Sequence, residues 1–455
     1  MAIVGAGSVS FALGTLRDLV LSGRLREDSD LEIVLMDISE ANLDRTHGYA
    51  AQMFAAFSHP ARILKTVDLD RAVDGADFVI VAIEVDRYFY WSQDFHIPRR
   101  YGSRQIYGEN GGPGAMFHTL RNMGPMLEIA RTMERLCPNA WLINYTNPEA
   151  KLVEAVATLT PVKVVGLCHG LDMGLWQLSE LLEMDAKEIG VEGGGLNHFG
   201  FFTKIWNKKT GEDLSPLLRE KEGKANKLSK FDHFYLMRAM YRLYGCYPYP
   251  GTNHCGEYVS YGGDFYAGLP LNYAYDPLSE KPWESRDAVP EFVYCASPDT
   301  VDRAHFGGGK NGAAWDEVFI FDKDKVGSSG EYGVPIIEAV SFDDEIEINA
   351  ANMPNKGAIR GLPDDMVVET QATVNGRGVS LKPMKTALPT AVIGTINVQG
   401  AIHKLLIEAW LEKSKRKLLQ AVLLDPGAPS YYQACAMIDD MCERQKDILP
   451  PLEWG

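Results

Sequence analysis

The sequence predicts an α/β fold, with a doubly wound parallel sheet in the first part of the chain and a mixed α+β second part. From residue 2 to residue 168, apolar runs typical of buried strands alternate with helix-like segments. This alternation is typical of a parallel sheet with helices on both faces. After about residue 190, aromatic and irregular segments replace it. We therefore expect one domain over residues 1–192 and a second, α+β domain over residues 193–455.

The amino-terminal strand leads directly into a glycine turn. An apolar run is followed by Gly5, Gly7 and Ser8, and a helix-compatible segment comes next. Two glycines allow the backbone to approach a pyrophosphate, whose charge then meets the amino end of a helix. The second apolar run ends in Asp37, an acid suited to hold a ribose hydroxyl. These four residues predict a Rossmann-like NAD site, and Asp37 is also a candidate N-cap for the next helix.

Three more apolar runs complete the predicted sheet, at residues 77–83, 141–143 and 162–167. The last run ends in Cys168 and His169. Ligands of open α/β sheets bind where parallel strands end, so this thiol and imidazole stand where chemistry is expected. A buried free cysteine followed by a surface histidine is the simpler alternative.

The remaining segments are assigned from their composition. A glycine-rich loop at residues 107–116 carries Glu109, and glycine-rich loops allow close approach of a ligand. A turn at residues 193–200 leads into an aromatic strand. Further along the chain we expect strands at residues 333–348 and 366–379 and helices at residues 126–136, 233–244, 398–424 and 431–446.

Composition excludes several classes of protein. The net charge of −16 argues against a nucleic-acid partner, because phosphate binding needs clustered Lys and Arg. The chain has no apolar run long enough to span a membrane and no positively charged leader before its first strand. Its seven scattered cysteines form no disulfide framework. We expect a cytoplasmic protein.

Five motifs, taken together and in order, resemble glycoside hydrolase family 4. They are GAGSVSF at residues 5–11, Asp37, NYTNPE at 144–149, GLCHG at 166–170 and GLNHFG at 195–200. The stretch from residue 399 to residue 426 is also similar to the carboxyl-terminal part of the family. NYTNP further resembles the Asn-Pro turn of lactate and malate dehydrogenases, so the resemblance implies a fold related to theirs.

The resemblance implies a glycosidase that depends on NAD and on a divalent metal, usually Mn²⁺. In the family, NAD⁺ takes the hydride from C3 of the sugar, a base removes the acidified C2 proton, and the glycosidic oxygen leaves by elimination. Water then adds, and the hydride returns. Cys168 and His198 match the family's metal ligands. Thiolate and imidazole are soft ligands for Mn²⁺, so sugar oxygens and water would complete its shell.

Three further residues take roles from the resemblance. Asn147 matches a sugar-contacting asparagine, although an Asn-Pro turn can need it for its shape alone. Glu109 lies where the family has an acid beside the catalytic base. His169 occupies the place of the family's catalytic acid, and an imidazole can protonate the departing oxygen.

The catalytic base is where this sequence departs from the family. The matching place falls on Thr252 or Asn253, and neither side chain is a plausible base. His254, Tyr249 and Tyr258 are the nearby alternatives, and we rank His254 first.

Substrate class is predicted from the residues after the cysteine. The Cys-His-Gly sequence at residues 168–170 resembles the branch acting on α-galacturonides or α-glucuronides. Arg100, Arg104 and Arg238 are candidates for binding a carboxylate. Asp86 and Arg87 replace an Arg-rich stretch of the family, which argues against a phosphorylated sugar.

We expect an α-galacturonidase that assembles as a homodimer or homotetramer, as relatives do. The alternatives are an α-glucuronidase, a lactate/malate-like NAD-dependent dehydrogenase, and an NAD-binding protein without catalysis. The missing Tyr or Asp base is the feature that favours the last alternative.

Overall fold

The protein is described by a computed structural model over residues 1–7, 11–224, 235–265, 271–274, 291–297, 300–303 and 319–455. Ser8, predicted to contact the nucleotide, lies outside these residues. The strands, in chain order, are β1 (Ala2–Val4), β2 (Glu32–Met36), β3 (Arg62–Thr66), β4 (Phe78–Val81), β5 (Trp141–Asn144), β6 (Lys163–Gly166), β7 (Ile189–Leu196), β8 (Phe199–Asn207), β9 (Tyr247–Tyr249), β10 (Leu271–Ala274), β11 (Glu291–Ser297), β12 (Thr300–Arg303), β13 (Ile346–Pro354), β14 (Val367–Asn375) and β15 (Gly378–Leu381).

The α-helices follow the same numbering. They are α1 (Ala12–Leu21), α2 (Gly23–Asp28), α3 (Glu40–Ala56), α4 (Leu69–Val73), α5 (Arg87–Arg100), α6 (Gly112–Leu136), α7 (Glu149–Leu159), α8 (Gly170–Leu182), α9 (Ser215–Lys221), α10 (Tyr235–Tyr244), α11 (Thr252–Gly256), α12 (Gly333–Phe342), α13 (Thr390–Glu412), α14 (Lys415–Leu424) and α15 (Tyr431–Arg444).

Twelve strands of the described residues form one sheet. Six of them are parallel, in the order β3-β2-β1-β4-β5-β6, and this is the order of a doubly wound dinucleotide-binding fold. The sheet continues with the antiparallel strands β13-β14-β7-β8-β9, and β15 pairs with β14. Strands β10 to β12 form a separate antiparallel sheet. The predicted fold class is confirmed.

The central parallel strands are buried on both faces. Along β4, Val79 and Val81 pack into one apolar core, while Ile80 packs into the other. Successive side chains of a strand point to opposite faces, so helices must cover both sides of this sheet. A third apolar cluster joins α5 and α6 to the carboxyl-terminal helices α13 to α15.

Some predicted elements need correction. The segment 333–348, predicted as a strand, forms helix α12 and then enters β13 at Ile346. Its apolar run is continuous, and such a run does not distinguish a strand from a buried helix. Strand β3 and helix α5 were not predicted, and the glycine-rich loop ends earlier than expected because α6 begins at Gly112.

The two predicted domains share the large sheet. The predicted boundary after residue 192 falls inside β7, and strands from both sides pair along β6, β13, β14 and β7. The division at that residue stays a prediction. Among the described helices, none combines the length and apolar character that crossing a bilayer requires.

Candidate active site

The predicted nucleotide turn is formed and has room only for glycine. Gly5 has a φ of 86°, and a Cβ there would lie 2.2 Å from the carbonyl oxygen of Ala82. The Gly7 N–H donates to Asp37 Oδ2 at 2.8 Å, and a Cβ on Gly7 would lie 2.7 Å from that oxygen. Ser39 rather than Asp37 is the N-cap of α3. The turn therefore fits a dinucleotide, although binding by these residues stays a prediction.

The loop after β5 places Asn147 at the end of the parallel sheet. The Asn144 side chain closes this turn by accepting from the Thr146 N–H at 2.9 Å. Thr146 Oγ1 accepts from the Ile83 N–H at 2.9 Å, so the loops after β4 and β5 are joined. Asn122 donates to the Asn147 carbonyl at 3.0 Å, and the bond from Asn147 to Pro148 is cis. This arrangement fixes the Asn147 backbone, and its predicted sugar contact stays a prediction.

Cys168 lies two residues past the end of β6 and is partly buried. Burial and the charge of Glu369 raise the pKa of its thiol, whereas hydrogen bonds from the Asn197 side chain and the Gly170 N–H favour the thiolate. A Cβ at Gly170 would lie 3.6 Å from Cys168 Sγ, which shows how closely the start of α8 passes the sulfur. The sulfur thus already has hydrogen-bond donors suited to a thiolate ligand.

His198 occupies a strained turn. Asn197 and His198 alone connect β7 to β8, where Leu196 pairs with Phe199. His198 has a φ of 65°, a region that non-glycine residues rarely adopt and that is often associated with functional sites. The residue is only 6% exposed, and its Nδ1 has no hydrogen-bond partner among the described residues. Burial lowers the pKa of His198 well below its usual value, so the ring is neutral and able to bind a metal.

The segments that carry the two predicted metal ligands lie close together. The side chain of Asn197, the neighbour of His198, acts on the Cys168 thiol, and the rings of His198 and His254 are 4.2 Å apart between centroids. Joint metal binding by Cys168 and His198 stays a prediction. Among the described residues, no group of three or more His, Cys, Asp and Glu side chains could hold a metal. A thiol and an unpartnered imidazole nitrogen fit a divalent ion that draws its other ligands from substrate and water.

His169 lies exposed at the rim, beside the sulfur-bearing residue. Its Nδ1 is 3.1 Å from Glu331 Oε1. This hydrogen bond raises the pKa of His169 despite the opposing effect of burial. The arrangement favours the protonated ring, as a proton donor requires.

His254 lies on the short helix α11 and is partly buried. Its Nδ1 is 2.8 Å from Asn253 Oδ1. Burial lowers the pKa of His254 to about 4, so the ring is neutral and can accept a proton. Tyr258, an alternative base, is buried with its hydroxyl donating to the carbonyls of Asn110 and Asn197 at 3.4 and 3.3 Å. Burial raises the pKa values of Tyr258 and Tyr249 well above normal, and this favours His254.

Glu109 belongs to a buried charge network that the sequence did not predict. Arg87 forms ion pairs with both Glu84 and Glu109, and the Glu109 N–H donates to Glu257 Oε1 at 2.9 Å. Burial alone would raise the pKa of Glu84, but His118 and Arg87 hold it well below the usual value. The charge of Glu109 acts on His254 and opposes the effect of burial on its pKa; the predicted role of Glu109 beside the base stays a prediction. The sequence could have indicated Glu84 as a site residue, because it directly follows the predicted strand at residues 77–83.

The three arginines proposed for a substrate carboxylate are dispersed. Arg100 and Arg104 are exposed, and Arg104 lies 4.0 Å from Asp264. Arg238 lies on α10 and is partly buried. Their predicted contact with substrate stays a prediction.

Comparison with known proteins identifies the family. The family model described as "Family 4 glycosyl hydrolase" matches residues 1–183, and "Family 4 glycosyl hydrolase C-terminal domain" matches residues 194–428. The chain belongs to glycosyl hydrolase family 4. The resemblance in the five motifs is confirmed, and this family 4 member is a glycoside hydrolase.

Relatives match nearly the whole family 4 chain. An alpha-glucosidase of Erwinia rhapontici is 31% identical, with 98% of each chain covered. An alpha-galacturonidase of Thermoanaerobacter italicus is 26% identical, covering 99% of this chain and 97% of the relative.

Solved structures share the fold. A 6-phospho-alpha-glucosidase from gut microorganisms, described in complex with NAD and Mn²⁺, is 23% identical with a TM-score of 0.79, and 99% of each chain is covered. Malate dehydrogenase from Plasmodium falciparum is 11% identical with a TM-score of 0.51, covering 92% of this chain and 98% of that one. The predicted relation of this family 4 fold to malate dehydrogenase is confirmed.

Proposed function

We propose that this family 4 glycosidase hydrolyses α-linked uronides, with α-galacturonides ranked before α-glucuronides, and that it requires NAD and Mn²⁺ or another divalent ion. The observation that supports the proposal most strongly is the contact between the His198 and His254 rings, together with the action of Asn197, the neighbour of His198, on the Cys168 thiol after β6. The Cys-His-Gly sequence and the alpha-galacturonidase relative support the uronide. The relative described with NAD and Mn²⁺ supports the cofactors.

The chain offers a separate place for each group. Gly5, Gly7 and Asp37 would hold NAD, because their turn leaves the backbone open to a pyrophosphate. Cys168 and His198 would hold the metal. When bound, NAD supplies a hydride acceptor that makes the C2 proton of the sugar acidic, and the ion supplies a Lewis acid for the neighbouring sugar oxygens.

The protein's own side chains then move protons. His254, neutral through burial, takes the proton from C2, and the nearby negative charge of Glu109 stabilises the imidazolium that forms. His169, whose protonated form is favoured by the hydrogen bond with Glu331, gives a proton to the departing glycosidic oxygen. Asn147 orients a sugar hydroxyl at the strand end.

A neutral α-glycoside is the second candidate. Four carboxyl groups lie around the described site, on Glu84, Glu109, Glu257 and Glu369, and Arg87 is already engaged by two of them. Burial raises the pKa of Glu257 to about 8 and that of Glu369 to about 7, so only part of this set is charged near neutral pH. The carboxyl groups that are charged disfavour an anionic sugar unless a cation compensates for them. The 31% identical relative is an alpha-glucosidase, which agrees with this candidate.

A substrate panel tests the proposal. The protein is incubated with NAD⁺, Mn²⁺ and reductant, and separately with p-nitrophenyl α-galacturonide, α-glucuronide, α-galactoside and α-glucoside, and with 2-hydroxy acids. Hydrolysis of a uronide without net NADH supports the proposal. Hydrolysis of the neutral glycosides alone would show that the substrate is a neutral α-glycoside rather than a uronide. Steady NADH production from 2-hydroxy acids would indicate a dehydrogenase, and no turnover at all would indicate a non-catalytic NAD-binding protein.

Assembly and location follow as part of the same proposal. We propose two or four copies per assembly, to be measured by light scattering coupled to size exclusion. The six described cysteines are free, which is compatible with a reducing cytoplasm.

A further inference from the structure

The two proposed metal ligands come from strands that are not neighbours. Cys168 follows β6 and His198 follows β7, and the sheet order places β13 and β14 between these strands. Asn352 of β13 is paired with Gly166 of β6, and Glu369 of β14 is paired with Gly195 of β7. Within the sheet, the two ligand-bearing strands are therefore connected through β13 and β14.

Glu369 lies on β14, between the two strands that carry the proposed metal ligands. Its side chain is fully buried, and its Oε2 accepts hydrogen bonds from Asn197 Nδ2 and from Asn352 Nδ2, both at 3.1 Å. Asn352 is its cross-strand partner on β13, and Asn197 is the residue before His198. One carboxylate oxygen thus ties the strand beside β6 to the turn that carries His198.

Asn197 extends this connection to the sulfur. The same side chain that donates to Glu369 also lies beside the Cys168 sulfur. An amide nitrogen has two N–H groups, so one can be held by the carboxylate while the other faces the sulfur. The Asn197 carbonyl additionally accepts from the Tyr258 hydroxyl at 3.3 Å, which restrains the turn from the other side.

We propose that Glu369 is a positioning residue for the metal pair: through Asn197 it sets the separation and orientation of Cys168 and His198. This inference rests on the proposed metal site. The Cys168–Asn197–Glu369–Asn352 chain restrains a turn whose His198 φ of 65° is unfavourable for a non-glycine residue. Partners that orient metal ligands in this way usually change metal affinity by about 10- to 100-fold when they are removed.

The test is Mn²⁺ binding to the full chain with NAD present, measured by electron paramagnetic resonance of the free ion. Glu369→Gln keeps the volume of the side chain and one oxygen, but it replaces the carboxylate that accepts from both amides with a neutral acceptor, which forms weaker hydrogen bonds. We expect its Mn²⁺ dissociation constant to rise by about 10- to 100-fold. Asn197→Ala should give a similar rise, and the double variant should lose no more than the worse single variant, because both changes break one connection.

The matched control is Glu154→Gln. Glu154 is also a buried carboxyl group, and it accepts from the Val367 N–H on β14 and lies 3.0 Å from His403 Nδ1, away from the turn. It should lower the thermal midpoint without changing Mn²⁺ affinity. Absorption of the Co²⁺-loaded protein adds a second readout, since the thiolate-to-cobalt band should weaken or shift in Glu369→Gln and not in the control.

The two proposals fail differently. Cys168→Ser and His198→Ala test the metal site and should abolish Mn²⁺ binding. If they do, but the Mn²⁺ dissociation constants of Glu369→Gln and Asn197→Ala stay within about 2-fold of that of the unaltered protein, the metal site stands and the positioning role is wrong. A 2-fold change is smaller than the change expected when an orienting partner is removed. If the unaltered protein binds no Mn²⁺, the metal site and the positioning role are both wrong. If Glu369→Gln does not fold, the Asn197→Ala result decides between these outcomes.

Discussion

The ring of His169 and the carboxylate of Glu331, 162 residues apart in sequence, meet with His169 Nδ1 at 3.1 Å from Glu331 Oε1. Two residues before Glu331, the Ser329 N–H donates to Asp18 Oδ1 on α1 at 2.7 Å. The loop that carries Glu331 is therefore hydrogen-bonded to α1, the helix that follows the nucleotide turn. These contacts connect the proposed proton donor His169 to the nucleotide turn.

The first prediction concerns His169 as the acid. His169→Ala should lower kcat/KM by about 100-fold or more for glycosides with an alkyl leaving group, because such an alkoxide needs a proton to depart. With p-nitrophenol as leaving group the loss should be small. Glu331→Gln should follow the same pattern with a smaller loss. Equal losses for both kinds of substrate would show that His169 has another role.

The second prediction concerns His254 as the base. Reaction in D₂O should place deuterium at C2 of the released sugar, as mass spectrometry or NMR can measure, because a base that exchanges with solvent returns a solvent deuteron. His254→Gln should abolish this incorporation. Tyr258→Phe is the control and should retain it, since the Tyr258 hydroxyl is engaged by two carbonyls. The reverse pattern would assign the base to Tyr258.

The third prediction concerns the nucleotide turn. Gly7→Ala should raise the NAD dissociation constant by at least about 10-fold, since its new Cβ would lie 2.7 Å from Asp37 Oδ2 and displace that carboxylate. Gly48→Ala, in α3 of the same domain, meets nothing within 4 Å and should leave NAD affinity unchanged while adding about 0.5–1 kcal/mol of stability. Calorimetric titration measures the NAD dissociation constant of each variant, and thermal unfolding measures its stability. Unchanged NAD affinity in Gly7→Ala would place the cofactor elsewhere.

The fourth prediction concerns stability against pH. Glu149 is buried, and neither oxygen of its carboxyl group has a hydrogen-bond partner among the described residues. Burial and the charge of Glu369 raise the pKa of Glu149 well above its usual value. The folded state thus holds a proton that the unfolded state releases, so this group's contribution is complete below about pH 4.5 and declines as pH rises, by up to about 1.4 kcal/mol per pH unit.

Glu149→Gln removes this titration. The thermal midpoint of Glu149→Gln minus that of the unaltered protein should therefore increase steadily between pH 5 and pH 8. In this range the unaltered protein loses stability because folding keeps Glu149 protonated. Glu154→Gln is the comparison, since it replaces the carboxyl group that accepts from the Val367 N–H with a neutral amide, which is the weaker acceptor, and should destabilise the protein at every pH. A constant difference between Glu149→Gln and the unaltered protein would mean that Glu149 does not hold its proton in the folded state.

The sequence alone predicted five of the six parallel strands, the glycine turn and the position of Cys168 after β6, but it missed the largely exposed strand β3. Buried parallel strands are continuous apolar runs, and ligands collect where such strands end, so local pattern and position carry this information. The same reasoning was wrong for segment 333–348, because an apolar run of that length suits a buried helix as well as a strand.

Only the tertiary structure decided what surrounds these residues. The pairing of Glu369 with Asn197 and of Glu331 with His169 joins residues more than 150 positions apart, and no local pattern encodes such contacts. The sheet order that inserts β13 and β14 between β6 and β7 is likewise a property of the folded chain. Local sequence determined which groups could do chemistry here, whereas long-range packing decided their separation, their protonation and the partners that hold them, because burial and charge depend on the whole fold.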